Sequence, residues 1–248
     1  MKIRIKTLEE IKIMQEGGKI LRDALDYAAS LVKPGITTKE IDQKTEQRIL
    51  SIEGAIPAFK GYLGFPATLC TSVNDSVVHE PPSDYELKEG DIISIDCGVK
   101  YKDFYTDSAF TCNVGKISDE AQKLIDVTKE SLNSIIDIIQ IDVNLMEISK
   151  TIQSYVEKNG YSVVRELVGH GIGRDLHEDP QIPNYFTKNP LPNIKKGMTF
   201  CIEPMVNAGK ADVIFHPNNS VSTKDGSLSA HFELQFAVTE RKVIILTQ

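Results

Sequence analysis

The chain has 248 residues, of which 41% are hydrophobic and 25% charged, an ordinary globular composition that excludes collagen-like and low-complexity classes. Its 35 acidic residues outnumber its 28 basic ones, and the net charge of −7 argues against nucleic acid as a substrate. No apolar run approaches the roughly 18 residues that a membrane span needs, and no signal peptide is visible. We therefore expect a cytoplasmic protein with no membrane partner.

Two helix patterns open the chain. Thr7 and Glu10 have the spacing of a capping box, and the apolar residues that follow recur at steps of three and four until Pro34 and Gly35. A second capping box at Thr37 predicts a helix that runs to Gly54.

Short strands and a hairpin follow these helices. Residues 61–66 form a glycine-rich loop, and short strand patterns then end at residues 77–79. The isoleucine-rich residues 91–97 and the strand-like residues 104–111 predict two neighbouring strands.

The second half of the chain repeats this plan. Ser118 begins a helix that continues to Ile138, and the capping-box spacing at Asn144 begins another, which ends at Asn159. A strand at residues 163–164, a glycine-rich loop and a strand at 198–206 come next.

Similar features recur at a constant separation of 107 residues, including a helix start, a strand start and an acidic residue. The pairs are Ile41 and Ile148, Gly90 and Gly197, and Asp96 and Glu203. This regularity predicts two repeat-related halves, about residues 1–115 and 116–248, within one domain.

Acidic residues occupy the two predicted hairpins. A hairpin that turns at Tyr101 and Lys102 would place Asp96 directly opposite Asp107, where two carboxylates repel each other. Such a pair needs a proton, a cationic partner or a metal ion.

Glu203 and Glu233 occupy related positions in the second half. Glu233 lies in a predicted strand from His231 to Val238, on the face opposite an apolar stripe. An isolated acid is usually exposed to solvent, but four at related positions favour a shared site. Two divalent ions would balance their charge, and one neutral histidine would complete the ligands. The best candidate is His170, because flanking glycines allow a close approach and His177 lies nearby. The same glycines lack the GxGxxG spacing of a dinucleotide loop.

The four cysteines are scattered without a CxxC motif, so we expect reduced and buried thiols. They are Cys70, Cys97, Cys112 and Cys201.

Eight motifs distributed over nearly the whole chain resemble those of type I methionine aminopeptidases of the short bacterial form. They are VKPGITTKEID, GYLGFP, TSVNDSVVH, LKEGDIISIDCGV, FYTDSAFT, GHGIGRDLHEDP, KKGMTFCIEPMVNAGK and STKDGSLSAHFE. The resemblance implies an α+β "pita-bread" fold of two pseudo-two-fold halves, an antiparallel sheet with helices packed on one face. Eukaryotic type I enzymes add an N-terminal zinc finger and type II enzymes a helical insertion, and neither is present here.

The resemblance also implies the site residues. It implies two divalent metal ions, Mn, Fe, Co or Zn, which would activate a hydroxide. The implied ligands of these ions are Asp96, Asp107, His170, Glu203 and Glu233. The implied catalytic residues are His79, His177 and Glu203. The implied substrate pocket is formed by Phe59, Tyr62, Phe65, Cys70, His79 and Leu176.

Several positions differ from the pattern common in that family. Phe59 stands where a cysteine is frequent, Leu63 replaces a histidine, Leu176 replaces an aromatic residue, and Asn219 falls where a tryptophan is found. Glu80 and Pro81 replace the residues that usually follow His79. The shape of the side-chain pocket is therefore expected to differ from that of other members.

The resemblance implies removal of the N-terminal methionine from nascent polypeptides, at the ribosome, by a cytoplasmic monomer. One alternative is another pita-bread peptidase of the aminopeptidase P or prolidase type, although those enzymes normally carry an extra N-terminal domain. A second alternative is a non-catalytic peptide-binding relative, although such relatives lose metal ligands.

Overall fold

The computed structural model describes residues 2–240 and 242–248. In this part of the chain the structure has four α-helices, which are α1 (Leu8–Leu31), α2 (Thr38–Leu50), α3 (Asp119–Asn133) and α4 (Leu145–Lys158). The strands, in chain order, are β1 (Ala55–Pro57), β2 (Leu69–Val73), β3 (Ser76–Val78), β4 (Ile92–Tyr101), β5 (Phe104–Asn113), β6 (Ser162–Val163), β7 (Gly169–Gly171), β8 (Glu178–Ile182), β9 (Thr199–Ile202), β10 (Met205–Asn207), β11 (Val213–Phe215), β12 (Val221–Thr223), β13 (Ser229–His231), β14 (Leu234–Val238) and β15 (Val243–Ile245).

The predicted helix starts are confirmed, and two helix ends differ. Thr7 and Thr37 both form complete capping boxes. The second helix ends at Leu50 rather than Gly54. The third ends at Asn133, and its predicted continuation is a separate 3₁₀ turn at Ile136–Ile138.

Helix α4 begins as predicted at Asn144, but with a different cap. The Asn144 side chain accepts a hydrogen bond from the backbone N–H of Met146, one residue earlier than a capping box requires. The shorter asparagine side chain thus satisfies a first-turn donor by itself.

All strand pairings are antiparallel among the residues that the structure describes. Strand β4 pairs with β5 on one edge and with β1 and β2 on the other. A five-stranded sheet has the order β15-β14-β9-β7-β8, and two three-stranded sheets have the orders β13-β10-β6 and β11-β12-β3.

Each half places its helices behind the strands that carry the acids. The odd-numbered residues of β4, such as Ile93 and Ile95, are buried against α1 and α2. Phe200 and Phe236, from β9 and β14, are buried against residues of α3 and α4. Because side chains alternate along a strand, the even-numbered residues of β4 and the odd-numbered residues of β9 face the opposite side, where the acids lie.

The predicted register of the first hairpin is wrong by two residues. Asp96 pairs with Ala109 and Asp107 pairs with Gly98. The turn lies at Lys102 and Asp103, whose positive φ angles of 47° and 63° suit a tight two-residue hairpin turn. A shift of two leaves both carboxylates on the same face, because the side-chain period of a strand is also two.

Three other strand predictions need correction. The strand predicted at 198–206 is two strands, β9 and β10, separated by Glu203 and Pro204. The strand predicted from His231 to Val238 is interrupted at Phe232 and Glu233. Part of the predicted glycine-rich loop, around His170, is strand β7. Each of these three segments contains an acidic residue of the candidate site or His170.

The cysteines are free, as predicted, and three of the four are buried while Cys112 is half-buried. None of the helices in the described residues has the length and hydropathy to span a membrane.

The contact between α1 and the C-terminal residues predicts a selective effect of two adjacent glycine substitutions. A Cβ at Gly18 would lie 1.9 Å from the carbonyl oxygen of Leu246, whereas a Cβ at Gly17 would lie 3.2 Å from a methyl group of Thr106. We expect Gly18→Ala to lower the free energy of unfolding by about 1–3 kcal/mol, because backbone cannot move aside easily. Gly17→Ala, the matched control, should change it by less than about 1 kcal/mol. Chemical denaturation measures both, and equal effects would contradict the close contact.

Candidate metal centre and substrate pocket

The first two acids of the site come from the β4–β5 hairpin. Asp96 and Asp107 are 8% and 4% exposed, and they lie diagonally on the same face of the hairpin. The backbone N–H of Asp107 donates to the side-chain oxygen of Gln235 at 3.2 Å. This bond ties the hairpin to strand β14 of the second half.

Glu233 is brought to the hairpin by its own backbone. Its N–H donates to the carbonyl oxygen of Ala109 at 2.9 Å, and its carbonyl accepts from the Ser108 hydroxyl at 2.7 Å. A carboxylate oxygen of Glu233 therefore lies within 4.8 Å of oxygens from Asp96 and Asp107. Glu233 as a whole residue is only 3% exposed.

His170 and Glu203 complete the cluster. The Nδ1 atom of His170 lies 2.9 Å from the carbonyl oxygen of Gly171, so Nδ1 carries the proton and donates to that oxygen. The free Nε2 atom then lies 3.6 Å from Oε1 of Glu203 and 3.9 Å from Oδ2 of Asp107.

Steric constraints explain why glycine stands on either side of His170. A Cβ at Gly169 would lie 2.4 Å from the carbonyl oxygen of Cys201, and one at Gly171 would lie 2.2 Å from that of Asp179. Strand β7 can therefore insert between its neighbours only with glycine at both positions.

Burial makes the charged state of these acids costly. It raises the pKa of Asp96 to about 7 and, together with the neighbouring acidic charges, raises the pKa values of Asp107, Glu203 and Glu233 well above their usual range. Burial lowers the pKa of His170 to about 3, so its imidazole is neutral. The acids therefore stay ionised together only beside a cation.

The residues present fit divalent metal ions. Oδ1 of Asp96, Oδ1 of Asp107 and Oε1 of Glu233 are buried without a hydrogen-bond partner, and they converge on one point of the cavity wall. Four carboxylates with one neutral imidazole suit Mn, Fe or Co and are compatible with Zn.

A cavity of about 390 Å³ opens onto this cluster. Its lining includes every residue that the sequence analysis assigned to the metal site, the catalytic groups or the pocket, together with Leu63 and Asn219. The apolar part of the wall is tightly packed, since Phe59, Cys70 and Leu176 are 8%, 4% and 2% exposed. The Phe59 ring lies against Gly98, where a Cβ would come within 2.7 Å of it.

Two histidines stand at the cavity beside the cluster. The ring of His177 packs edge-on against that of His170, with centroids 4.4 Å apart, and its Nδ1 atom is 2.8 Å from the Tyr62 hydroxyl. His79 has a φ angle of 59°, an uncommon conformation for a residue other than glycine. Burial, followed by the proximity of His177, lowers the pKa of His79, and burial lowers that of His177.

Sequence reasoning missed two neighbours of the cluster, His231 and Cys201. Nε2 of His231 lies 3.8 Å from Oε2 of Glu203, so an imidazole stands near each oxygen of that carboxylate. Both ring nitrogens of His231 are buried without a hydrogen-bond partner. The Cys201 sulfur is close to His170 and Glu233. The alternation of β9 and the His-x-Glu spacing before β14 are signals that point to these two residues.

The chain is similar to known metallopeptidases over nearly its whole length. The model of metallopeptidase family M24 matches residues 12–240. The chain is 49% identical to the methionine aminopeptidase of Clostridium perfringens over 99% of this chain and 98% of that one. It is also 49% identical to methionine aminopeptidase 1 of Bacillus subtilis, over 98% of each chain. The crystal structure of the methionine aminopeptidase from Rickettsia prowazekii superposes with a TM-score of 0.96 at 39% identity, and each chain is fully covered.

Prolidases are more distant. The prolidase of Pyrococcus horikoshii is 22% identical with a TM-score of 0.77, and this chain covers 63% of it, so the likeness extends to the fold alone. Neither the prolidase alternative nor the non-catalytic one is favoured. With its pita-bread α+β fold and its full-length likeness to named enzymes, the chain belongs to the methionine aminopeptidases of metallopeptidase family M24, and it is a hydrolase.

Proposed function

We propose that the protein removes the N-terminal methionine from newly made polypeptides. The observation that carries this proposal is the joining of two features in one cavity: a cluster of carboxylates with buried, unpartnered oxygens, and an apolar wall that includes Phe59, Phe65 and Leu176. The names of the full-length relatives support the same substrate.

Asp96, Asp107, His170, Glu203 and Glu233 would hold two divalent ions, drawn from Mn, Fe, Co or Zn. When bound, such ions lower the pKa of water and polarise a carbonyl group. The free α-amine of the substrate would lie beside these acids, because they favour a cationic or metal-ligating group. Only chain N-termini would then be cleaved.

Glu203 is the proposed proton shuttle. It is the carboxylate next to His170 on one side and His231 on the other, and it lines the cavity, where it can both take and return a proton. It would accept a proton from the attacking water and deliver it to the nitrogen of the leaving peptide, so that the amide bond breaks as the amine forms.

The two cavity histidines would act on the scissile peptide. His177 would stabilise the oxyanion of the tetrahedral state, because a preorganised donor is most effective where negative charge develops. The Tyr62 hydroxyl fixes its ring by a hydrogen bond at Nδ1, which leaves Nε2 for the substrate. His79 would hold the scissile amide in place.

Phe59, Tyr62, Phe65, Cys70 and Leu176 would form the pocket for the methionine side chain. The flexible thioether can fill an irregular pocket, whereas the stiff χ1 angle of valine and isoleucine limits their fit. A narrow cavity also favours small residues after the methionine.

We also propose the wider setting: one catalytic domain of two repeat-related halves, acting in the cytoplasm as a monomer on nascent chains at the ribosome. Support for the repeat comes from Gly90 and Gly197, which have φ angles of 97° and 81°. Gly90 precedes β4, which contains Asp96, and Gly197 precedes β9, which ends directly before Glu203.

Removal of metal should expose the repulsion among the acids. Because the folded-state pKa values of the acids are raised, these groups bind protons more tightly in the metal-free folded protein than in the unfolded chain, and stability should fall as the pH rises from about 6.5 to 8. Below that range the buried histidines, whose pKa values are lowered by burial, contribute a slope of opposite sign. Metal-loaded protein should lose the fall in stability at the higher pH. Thermal unfolding of chelator-treated and reloaded protein measures it, with metal-free Asp96→Asn, which should have a smaller slope, as the control. Equal slopes with and without metal would count against a cation site.

Glu203→Gln should lower kcat on a methionyl peptide by at least about 100-fold, since the amide keeps the shape but cannot shuttle a proton. Calorimetry should still detect metal binding. The control is Glu16→Gln, an exposed acid paired with Lys102, which should leave turnover unchanged. Near-normal turnover of Glu203→Gln would remove the shuttle assignment.

Peptide selectivity tests the function as a whole. After reconstitution with Mn, Fe, Co or Zn, we expect Met-Ala-Ser to be cleaved, Xaa-Pro peptides to resist, and Ile-Ala-Ser to have a kcat/KM about 10- to 200-fold lower. N-acetylated Met-Ala-Ser should resist cleavage, because it lacks the free amine. Preference for an Xaa-Pro peptide would favour a prolidase activity instead.

The pocket assignment has its own variant within the same assay. Phe59→Cys should widen the cavity beside Gly98 and raise relative kcat/KM for Leu-Ala-Ser and Phe-Ala-Ser peptides. If this variant keeps the original selectivity, Phe59 does not form part of the wall of the methionine pocket.

A further inference from the structure

Lys6 is the one lysine or arginine with a buried side chain among the described residues, 2–240 and 242–248. Its Nζ atom donates to Oε2 of Glu178 at 2.5 Å and to the carbonyl oxygen of Arg4 at 3.1 Å. The side chains of Lys6 and Glu178 are 4% and 2% exposed. The roles proposed above use neither residue, although Glu178 directly follows His177.

The N-terminal segment, residues 2–6, is fixed along the loop that carries His177. The backbone N–H of Lys2 donates to Asp179 at 2.8 Å, and that of Lys6 donates to the carbonyl oxygen of Gly197 at 2.7 Å. Glycine at 173 gives the Lys6 side chain its path, because a Cβ there would lie 2.2 Å from its Cε atom.

Glu178 organises the loop from within. Its Oε1 atom accepts from the backbone N–H groups of Arg174 at 2.9 Å and Asp175 at 3.3 Å. The carboxylate thus closes the turn of residues 174–178, while Lys6 anchors the same carboxylate from outside. Leu176 and His177, which line the cavity, project from this turn.

We propose that Lys6 is a positioning residue, which holds the turn of residues 174–178 through Glu178 so that His177 faces the cavity. This inference rests on the proposed role of His177. It assigns the N-terminal segment a part in the reaction, although none of its residues lines the cavity.

The chemistry of the pair favours positioning over stability. Burying two charges costs much of what their attraction returns, and a pair of apolar residues of similar size is often as stabilising. An ion pair at this place has a stronger directional requirement than an apolar contact, because the acceptor oxygens of Glu178 must meet both Nζ and two backbone N–H groups.

The test compares Lys6→Met, Glu178→Gln and the double variant in the metal-loaded enzyme. A single substitution can destabilise the fold, since it leaves a buried group unpaired. The double variant removes both charges, so we expect its Tm to return close to that of the unmodified protein. Its kcat should nevertheless stay about 10- to 100-fold low with little change in KM, because misplacement of a reacting group lowers the rate steeply.

The control is Lys150→Met, which breaks an ion pair with Glu147 of 2.8 Å that is exposed on α4. It should change neither kcat nor Tm. If kcat in the Lys6→Met/Glu178→Gln double variant recovers together with Tm, the pair is merely structural and the proposal is overturned.

A second measurement does not depend on turnover. In protein with ¹⁵N-labelled histidine rings, assigned with His177→Gln, the His177 signals should shift in the double variant while those of His216 stay unchanged. Unshifted His177 signals would overturn the proposal. Absence of methionyl-peptide cleavage by the unmodified enzyme would contradict the proposed function instead, and the ring signals would still decide whether Lys6 positions His177.

Discussion

The repulsion among four neighbouring carboxylates, three of them buried and that of Glu203 half-buried, is the constraint on which the rest of the structure depends. Asp96, Asp107, Glu203 and Glu233 are held together against their mutual charge by paired strands, whose backbone hydrogen bonds leave the side chains little freedom to separate. The apolar faces of the same strands pack on helices, so burial of the core and crowding of the acids result from one alternation of side chains. The folding free energy of the core thereby maintains a site that would not form by itself.

The side of each strand that faces the site could be predicted from the sequence, whereas the exact pairing could not. Alternation along residues 91–97 indicates which residues point away from the helices, and this part of the prediction survived an error in the hairpin turn. The position of the turn depends on the conformations of Lys102 and Asp103, of which only the aspartate is a common turn residue. A register error of an even number of residues changes the cross-strand partner of each acid but not the face of the sheet on which the acid lies.

Contacts between segments that are far apart in the chain could not be predicted from local sequence patterns. The bond from Tyr62 to His177 and the neighbourhood of His231 and Glu203 join residues that are far apart in the chain. A lone lysine in the sequence is ordinarily exposed, and nothing beside Lys6 indicates that Gly173 opens a path for it. The family motifs predicted the acids and three histidines of the candidate site, but the packing around them is a property of the folded chain.

The bond between Glu233 and Ala109 has a consequence for synthesis of the protein. The first hairpin emerges from the ribosome well before Glu233, and until that residue has been added, Asp96 and Asp107 lack the neighbour that brings their cluster to the second half. Closing so long a loop is entropically expensive and belongs to the slow part of folding. A growing chain therefore lacks part of the proposed ligand set until translation is nearly complete. Metal ions could fill the proposed site only after the second half has joined the first.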